Sequence, residues 1–119
     1  MVKIFEIKDA PQTKTAGRGT TYRLVNETMG AKRIGVMLVE LEPGMKAKDI
    51  HYHKNRESAY IVLQGNAILT LNKTEHHLKA KTVVFLPPGD IHGITSTGRR
   101  TFKMIEVYSP LEPDRVDVK

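Results

Sequence analysis

The sequence of 119 residues contains no cysteine. A disulfide framework, a thiolate metal ligand and a cysteine nucleophile are therefore all excluded. Any bound metal ion must be held by histidine, aspartate, glutamate or water, which rules out a structural zinc site of the thiolate type.

Long apolar runs are also missing. No stretch approaches the ~18 residues of a membrane helix, and the opening segment MVKIFEIKDA lacks the apolar centre of a signal peptide. We therefore expect a cytoplasmic protein with no membrane partner. The length favours one domain spanning residues 1–119, with a single core.

The net charge of +6 at neutral pH raises the possibility of a nucleic-acid partner. The basic residues are scattered over turn-like positions, however, and no aromatic residues alternate with them as in a base-stacking surface. We therefore expect no nucleic-acid binding. Four basic residues lie on either side of a pair of histidines and indicate a pocket that favours an anionic ligand. They are Lys46, Lys48, Lys54 and Arg56.

Short β-rich runs separated by turn formers follow one another along most of the chain. Eight strands are predicted, at residues 2–7, 20–26, 33–41, 58–65, 67–72, 82–89, 92–97 and 102–110. No segment has the sustained 3.6-residue periodicity of a long helix. The pattern predicts an all-β sandwich or barrel.

The two ends of the chain have a different character. Residues 8–19 are polar and contain proline and glycine, so we expect an arm or loop within the N-terminal region 1–20. Residues 110–119 contain two prolines and alternating charges, and we expect a loosely held tail.

His51 and His53 form a His-x-His pair. Residues i and i+2 of a strand point to the same side, so both imidazoles can face one ion. Glu57 follows after a polar turn and can add a carboxylate. Two imidazoles and one carboxylate are the ligand type of a facial triad, which favours Fe, Mn, Ni or Zn over Ca or Mg.

A further histidine lies in the second half of the chain. Pro88 and Gly89 fit the centre of a tight turn, because proline suits position i+1 and glycine can take a positive φ at i+2. His92 opens the next strand, and in a closed antiparallel barrel such a residue can face the interior.

These residues resemble the two sequence motifs of the cupin superfamily. The first motif has the order glycine, His-x-His, glutamate and glycine, and here it reads Gly44, His51, His53, Glu57 and Gly65. The second is read here in Pro87-Pro88-Gly89-Asp90-Ile91-His92. The resemblance covers residues 33–108 and implies a jelly-roll β-barrel, the double-stranded β-helix. It also implies that His51, His53, Glu57 and His92 bind one divalent transition metal ion.

The resemblance is imperfect at the glutamate. An extra residue before Gly65 places either Glu57 or Ser58 at the family's glutamate position, depending on which end anchors the alignment. We align from the histidines and choose Glu57, because serine is a poor metal ligand. Lys81 and Ser96 replace the glycine and asparagine of the second motif.

Two other features have less direct interpretations. His76 and His77 are adjacent in sequence, and neighbouring residues of a strand point to opposite faces, so we do not expect them to share an ion. Glu106 lies in an apolar run, where an unpaired buried carboxylate is costly. It therefore either faces solvent or serves the pocket.

The resemblance leaves three classes of function. The first is a metal-dependent enzyme acting on a small, anionic metabolite, either a dioxygenase-like protein or one of the isomerase or lyase type. The second is a non-catalytic module that binds or senses a small molecule. The third, a regulator's sensory domain, ranks lowest. Cupins of this length commonly pair, so we also expect a homodimer in which strand edges are covered.

Overall fold

The structure, a computed structural model, describes residues 1–47 and 50–118. Lys48, one of the basic residues noted above, lies outside the described residues. The described chain is built from strands and contains two short 3-10 turns, Ile7–Asp9 and Glu27–Met29. The strands are β1 (Gln12–Thr15), β2 (Gly19–Val25), β3 (Gly35–Leu41), β4 (His51–His53), β5 (Glu57–Gln64), β6 (Asn66–Leu71), β7 (Thr74–Lys79), β8 (Val83–Leu86), β9 (His92–Thr97), β10 (Phe102–Ser109) and β11 (Arg115–Asp117).

The strands form two antiparallel sheets. One sheet has six strands in the order β1-β2-β3-β10-β5-β8, and the other has five in the order β11-β4-β9-β6-β7. Neighbouring strands are often distant in sequence, as where β10 lies between β3 and β5. This arrangement is the all-β, double-stranded β-helix jelly roll that the sequence predicted.

A single apolar core joins the two sheets. Leu41, Val62 and Phe102 of the six-stranded sheet pack in one cluster with Leu69 and Ile94 of the five-stranded sheet. Buried and partly exposed residues alternate along the whole of β10, as expected of a strand with one face towards the core. The burial of these alternating apolar residues stabilises the closed fold.

The fold brings the histidine segments together at one place. In β4 and β9, His51 is the direct antiparallel partner of His92. The turn at Pro88–Gly89 is also tied to β4, because the Gly89 N–H donates to the carbonyl of His53 at 2.8 Å. Gly89 has a φ of 90°, as the predicted turn requires.

The expectations for the chain ends were wrong. Residues 2–7 contain no strand. The regular structure within residues 1–9 is the 3-10 turn Ile7–Asp9. Residues 8–19 contain β1, which pairs with β2 although all four of its residues are exposed. Its ladder of hydrogen bonds, not burial, holds this edge strand, so no apolar alternation marks it in the sequence.

The tail is also more ordered than expected, because β11 pairs with β4 along three residues. The polar segment Thr74–Lys79 is likewise a strand, in which Leu78 alone is buried. Among the described residues there is no helix long and apolar enough to cross a bilayer.

Candidate metal centre

Three histidines converge between the two sheets. His51 and His53 come from β4 and His92 from β9, and one potential ligand atom of each lies within 4.8 Å of the others. The ring centroids are 4.5 Å apart for His51 and His92, and 5.1 Å apart for His51 and His53. The i, i+2 spacing on β4 and the cross-strand pairing with β9 together produce this cluster.

His53 is oriented by a carboxylate from the end of the chain. Its Nδ1 donates to Oδ1 of Asp114 at 2.8 Å, and both side chains are nearly buried. The Nε2 atom is therefore left as the acceptor that can bind a ligand. A carboxylate behind a histidine is the usual arrangement by which proteins fix the ring that binds a metal.

The carboxylate of Asp114 accepts three of the hydrogen bonds found among the described residues. The backbone N–H groups of Asn55 and Arg56 donate to its Oδ2 at 2.7 and 2.9 Å. Burial acts to raise the pKa of Asp114, but the hydrogen bonds from Asn55, His53 and Arg56 outweigh it and lower the pKa. Asp114 therefore remains a carboxylate that holds both the ring and the turn following β4.

His92 is held in a similar way by a backbone group. Its Nδ1 donates to the carbonyl of Asp90 at 2.9 Å, which leaves Nε2 as the acceptor. Burial lowers the pKa of both His92 and His53, and the hydrogen bonds that favour the charged forms offset only part of this effect. Both rings are neutral at pH 7, the form in which imidazole binds a metal ion.

The structure does not bring Glu57 to the histidines. Glu57 is exposed on β5 and lies beside Phe85 and Val107 on the outside of the six-stranded sheet. Ser58, the next residue, is buried on the inner face. Successive side chains of a strand point to opposite faces, so Glu57 and Ser58 cannot both face the site. Aligning the family motif from Gly65 gives Ser58, which faces inward, whereas our alignment from the histidines gave Glu57.

A carboxylate does reach the pocket, from another strand. Glu106 of β10 is 8 % exposed and lines the same cavity as the histidines. Ser58 Oγ donates to Glu106 Oε2 at 2.9 Å. Glu106 thus serves the pocket, the second of the two alternatives that the sequence left open. It is not a member of the three-histidine cluster.

Tyr60 and Arg56 complete the polar lining of this cavity. Tyr60 is buried, and burial together with the negative charge of Glu106 raises its pKa well above the ordinary value, so its phenol keeps its proton. The guanidinium of Arg56 stacks 4.0 Å from the ring centroid of Tyr108. Its Nε is buried without a hydrogen-bond partner among the described residues.

The cavity around the histidines is small, with a volume of about 50 Å³. This space has room for an ion with a few water-sized ligands, and it is well below the ~300 Å³ at which pockets for drug-sized molecules begin. Its other walls are apolar and include Met37, Val39 and Met104.

The remaining sequence features lie elsewhere. His76 and His77 are exposed on β7 and pair with Leu69 and Ile68 of β6. Of the basic residues that bracket the histidines, Lys46 and Lys54 are exposed, and Arg56 lines the cavity.

Two residues of the site were missed or left undecided by the sequence. Asp114 is 61 positions from His53 and stands in a segment predicted to be loose, so nothing local linked the two. For Glu106, the sequence did contain a pattern that predicts an inward-facing side chain. Strict alternation from Phe102 and Met104, which are apolar and buried, places Glu106 on the same inner face.

Two antiparallel sheets closed over one core, with three clustered histidines between them, define a double-stranded β-helix protein with a candidate metal site. Residues 37–108 match the sequence profile of the cupin domain family, which is more than half of the chain. The chain therefore belongs to the cupin family.

The proteins that this chain resembles are named for several different activities. The chain is 31 % identical over 75 residues to mannose-1-phosphate guanylyltransferase RfbM of Salmonella typhimurium, which covers 62 % of this chain and only 15 % of that protein. The structure resembles the polyketide cyclase RemF of Streptomyces resistomycificus with a TM-score of 0.83, with 25 % identity over 100 % of this chain and 87 % of RemF. A sugar phosphate isomerase of Silicibacter pomeroyi gives a TM-score of 0.76, with 22 % identity over 91 % of this chain and 76 % of that one.

The contact between Asp114 and His53 gives a first prediction. Asp114→Asn keeps the shape of the side chain but removes the charge that orients the ring, so we expect zinc affinity to fall by about 10- to 100-fold. Isothermal titration calorimetry of purified protein measures this. Asp117→Asn is the control, because Asp117 lies nearby on β11 and its carboxylate pairs with Arg115 at the surface. Equal affinities for the two variants would show that Asp114 has no role in orienting His53.

Proposed function

We propose that the protein binds one divalent transition metal ion through His51, His53 and His92. The observation that carries this proposal is the convergence of three imidazoles, two of which have Nδ1 anchored and Nε2 left as acceptor. The donor set fits such an ion, because neutral imidazoles suit Fe, Ni and Zn and are poor ligands for Ca or Mg. Mn is also compatible with the fold family.

We further propose that the protein is a metal-dependent enzyme of the isomerase or lyase type. Three neutral imidazoles match the ligand set of ions that act as Lewis acids. A bound ion of this kind polarises a carbonyl oxygen and makes the neighbouring C–H group more acidic. A dioxygenase-like reaction is less favoured, because the carboxylate of the two-histidine facial triad lies on the outside of the sheet.

The residues around the cavity supply groups for proton transfer. Glu106 is the proposed general base, since its carboxylate lines the cavity and is held by the hydroxyl of Ser58. Tyr60 is the proposed proton donor, because its phenol remains protonated. Arg56 adds a positive charge that favours an anionic substrate. A small keto acid or sugar phosphate has the carbonyl and the charge that these groups require.

Metal content tests the first proposal. After reconstitution with Fe, Mn, Ni or Zn, the wild-type protein should hold about one ion per chain, because the donor set is complete without further residues. His53→Ala should lose most of this metal, and His77→Ala should retain it, because His77 is exposed on β7. Inductively coupled plasma mass spectrometry gives the content. Equal loading of these two variants would refute the assignment.

Solvent deuterium exchange tests the proposed chemistry. The loaded enzyme should introduce deuterium next to the carbonyl of a small keto acid or sugar phosphate, as followed by proton NMR. Glu106→Gln should lower this rate by about 100- to 10,000-fold with metal content unchanged. Glu57→Gln is the matched control and should exchange at the wild-type rate. A full rate for Glu106→Gln would show that Glu106 is not the base. If no substrate of either class exchanged, a non-catalytic binding module would be the better account.

We also propose that the protein is a homodimer formed through the outer face of the six-stranded sheet. Apolar residues form two rows across this face: Ile61 lies between Val83 and Ile105, and Ala59 lies between Phe85 and Val107. Val83 and Phe85 are more than half exposed. Contiguous apolar patches of this kind are rare on monomers.

The same chain supplies a surface that can cover this face. Residues 1–9 are all exposed, and among them are five large hydrophobic residues, Met1, Val2, Ile4, Phe5 and Ile7. In a twofold dimer each N-terminal segment can pack on the partner's sheet, where β8 is an edge strand open to a further neighbour.

Sedimentation velocity at micromolar concentration tests the dimer. The wild-type protein should sediment at twice the chain mass, and Phe85→Glu should sediment as a monomer, because a charge in the apolar face disfavours its burial. Thr74→Glu adds the same charge at an exposed position of the other sheet and should leave the dimer intact. A wild-type monomer would contradict the proposal.

A further inference from the structure

A second cavity adjoins the one that contains the histidines. It has a volume of about 250 Å³, and three residues line both cavities: Thr21, Met37 and Ala47. The two spaces are therefore neighbours separated by no more than the side chains they share. The larger cavity gives the room for a small metabolite that the cavity at the histidines lacks.

The lining of the second cavity is polar because the inner face of the six-stranded sheet changes character towards its edge. On β3 this face carries Met37 and Val39, which belong to the apolar interior. Their partners on β2 are Arg23 and Thr21, and Thr13 on the edge strand β1 pairs with Thr21. Alternation thus continues past the apolar core with hydroxyl and guanidinium groups in place of aliphatic ones.

The cavity is also lined by three arginines. We name it the arginine cleft and define it by six of its residues: Thr13, Thr15, Arg18, Thr21, Arg23 and Arg115. No aspartate or glutamate lines it among the described residues. Arg115 of the cleft pairs with Asp117 at 3.0 Å, close to the surface.

The arginine cleft lies between the open edges of the two sheets. β1 is the edge of the six-stranded sheet, β11 is an edge of the five-stranded sheet, and both contribute to the lining. Arginines from different elements can thus surround one group from several sides. Guanidinium groups suit oxyanions because their planar N–H donors match carboxylate and phosphate geometry in pairs.

We propose that the arginine cleft is a binding site for the phosphate or carboxylate group of a small metabolite whose other end reaches the three histidines. This deepens the proposed function, on which the position of the reacting end rests, and it assigns substrate selection to residues of β1, β2 and β11. Thr13, Thr15 and Thr21 add hydroxyl donors to the same oxyanion. The metabolite is thereby held by its charged end while its carbonyl end enters the small cavity.

Anion titration of the full-length, zinc-loaded protein followed by amide NMR tests this site. Inorganic phosphate and malonate are the two probes, and they distinguish a phosphate site from a carboxylate site. We expect saturable shifts at the amides of residues 13–23 and 115 with at least one probe. In the double variant Arg23→Gln/Arg115→Gln, the Kd should rise by about tenfold or more, because two charge-assisted contacts are lost.

The controls separate this proposal from the metal site. Arg99→Gln removes one positive charge from an exposed turn outside the cleft and should leave the Kd within about twofold of wild type. His53→Ala should lose metal but still bind the anion, so failure of either site is seen independently of the other. Shifts confined to the histidine strands, no saturable shift with either probe, or an unchanged Kd in the double variant would each overturn the arginine cleft.

Discussion

The hydrogen bond between His53 and Asp114 connects the candidate metal site to the rest of the molecule. β4 has only three residues, and one side of it meets β9 through the single pair His51–His92. On its other side, β11 pairs with all three residues of β4. Asp114 strengthens this connection, because it also accepts from the two backbone N–H groups that follow β4. The last strand of the chain therefore determines where the histidine pair points.

A second constraint is which residues of β5 face the pocket and which face outward, because this determines the side chains available for chemistry. Because successive residues of a strand face opposite sides, a shift of one residue decides whether serine or glutamate faces the pocket. Ser58 faces inward, and its hydroxyl holds Glu106 from the neighbouring strand β10. Among the residues that the structure describes, the pocket thus contains one carboxylate, located beside the histidine cluster and not within it. We propose that this separation suits the carboxylate to proton transfer.

The sequence predicted most of the fold and the three histidines, because both depend on local patterns. Alternation predicted the central strands, and the resemblance to the two cupin motifs, which contain His51, His53 and His92, implied the cluster. Asp114 and the strand β11 could not be predicted in this way, since their pairing with β4 depends on contacts between distant, polar segments. Whether Glu57 or Ser58 faces the pocket depends on how the sequence is aligned with the family motif, and the sequence allowed two alignments.

The two adjoining cavities suggest a division of roles within the proposed enzyme. The small cavity holds the histidines, Tyr60 and Glu106, which are the groups proposed for chemistry. The arginine cleft supplies charge and room, the properties needed for selection of an anionic substrate. Since substrate binding and chemistry use different residues, substitutions should be able to alter one without the other.

The central claim is that three histidines alone provide the protein's ligands for one metal ion. Anomalous scattering at the metal edge, from crystals of the reconstituted protein, tests it most directly. The account predicts a single strong peak bonded to His51, His53 and His92, with the Glu57 carboxylate on the outside of the sheet. A peak bonded to Glu57, a peak elsewhere on the chain, or no peak after reconstitution would contradict it.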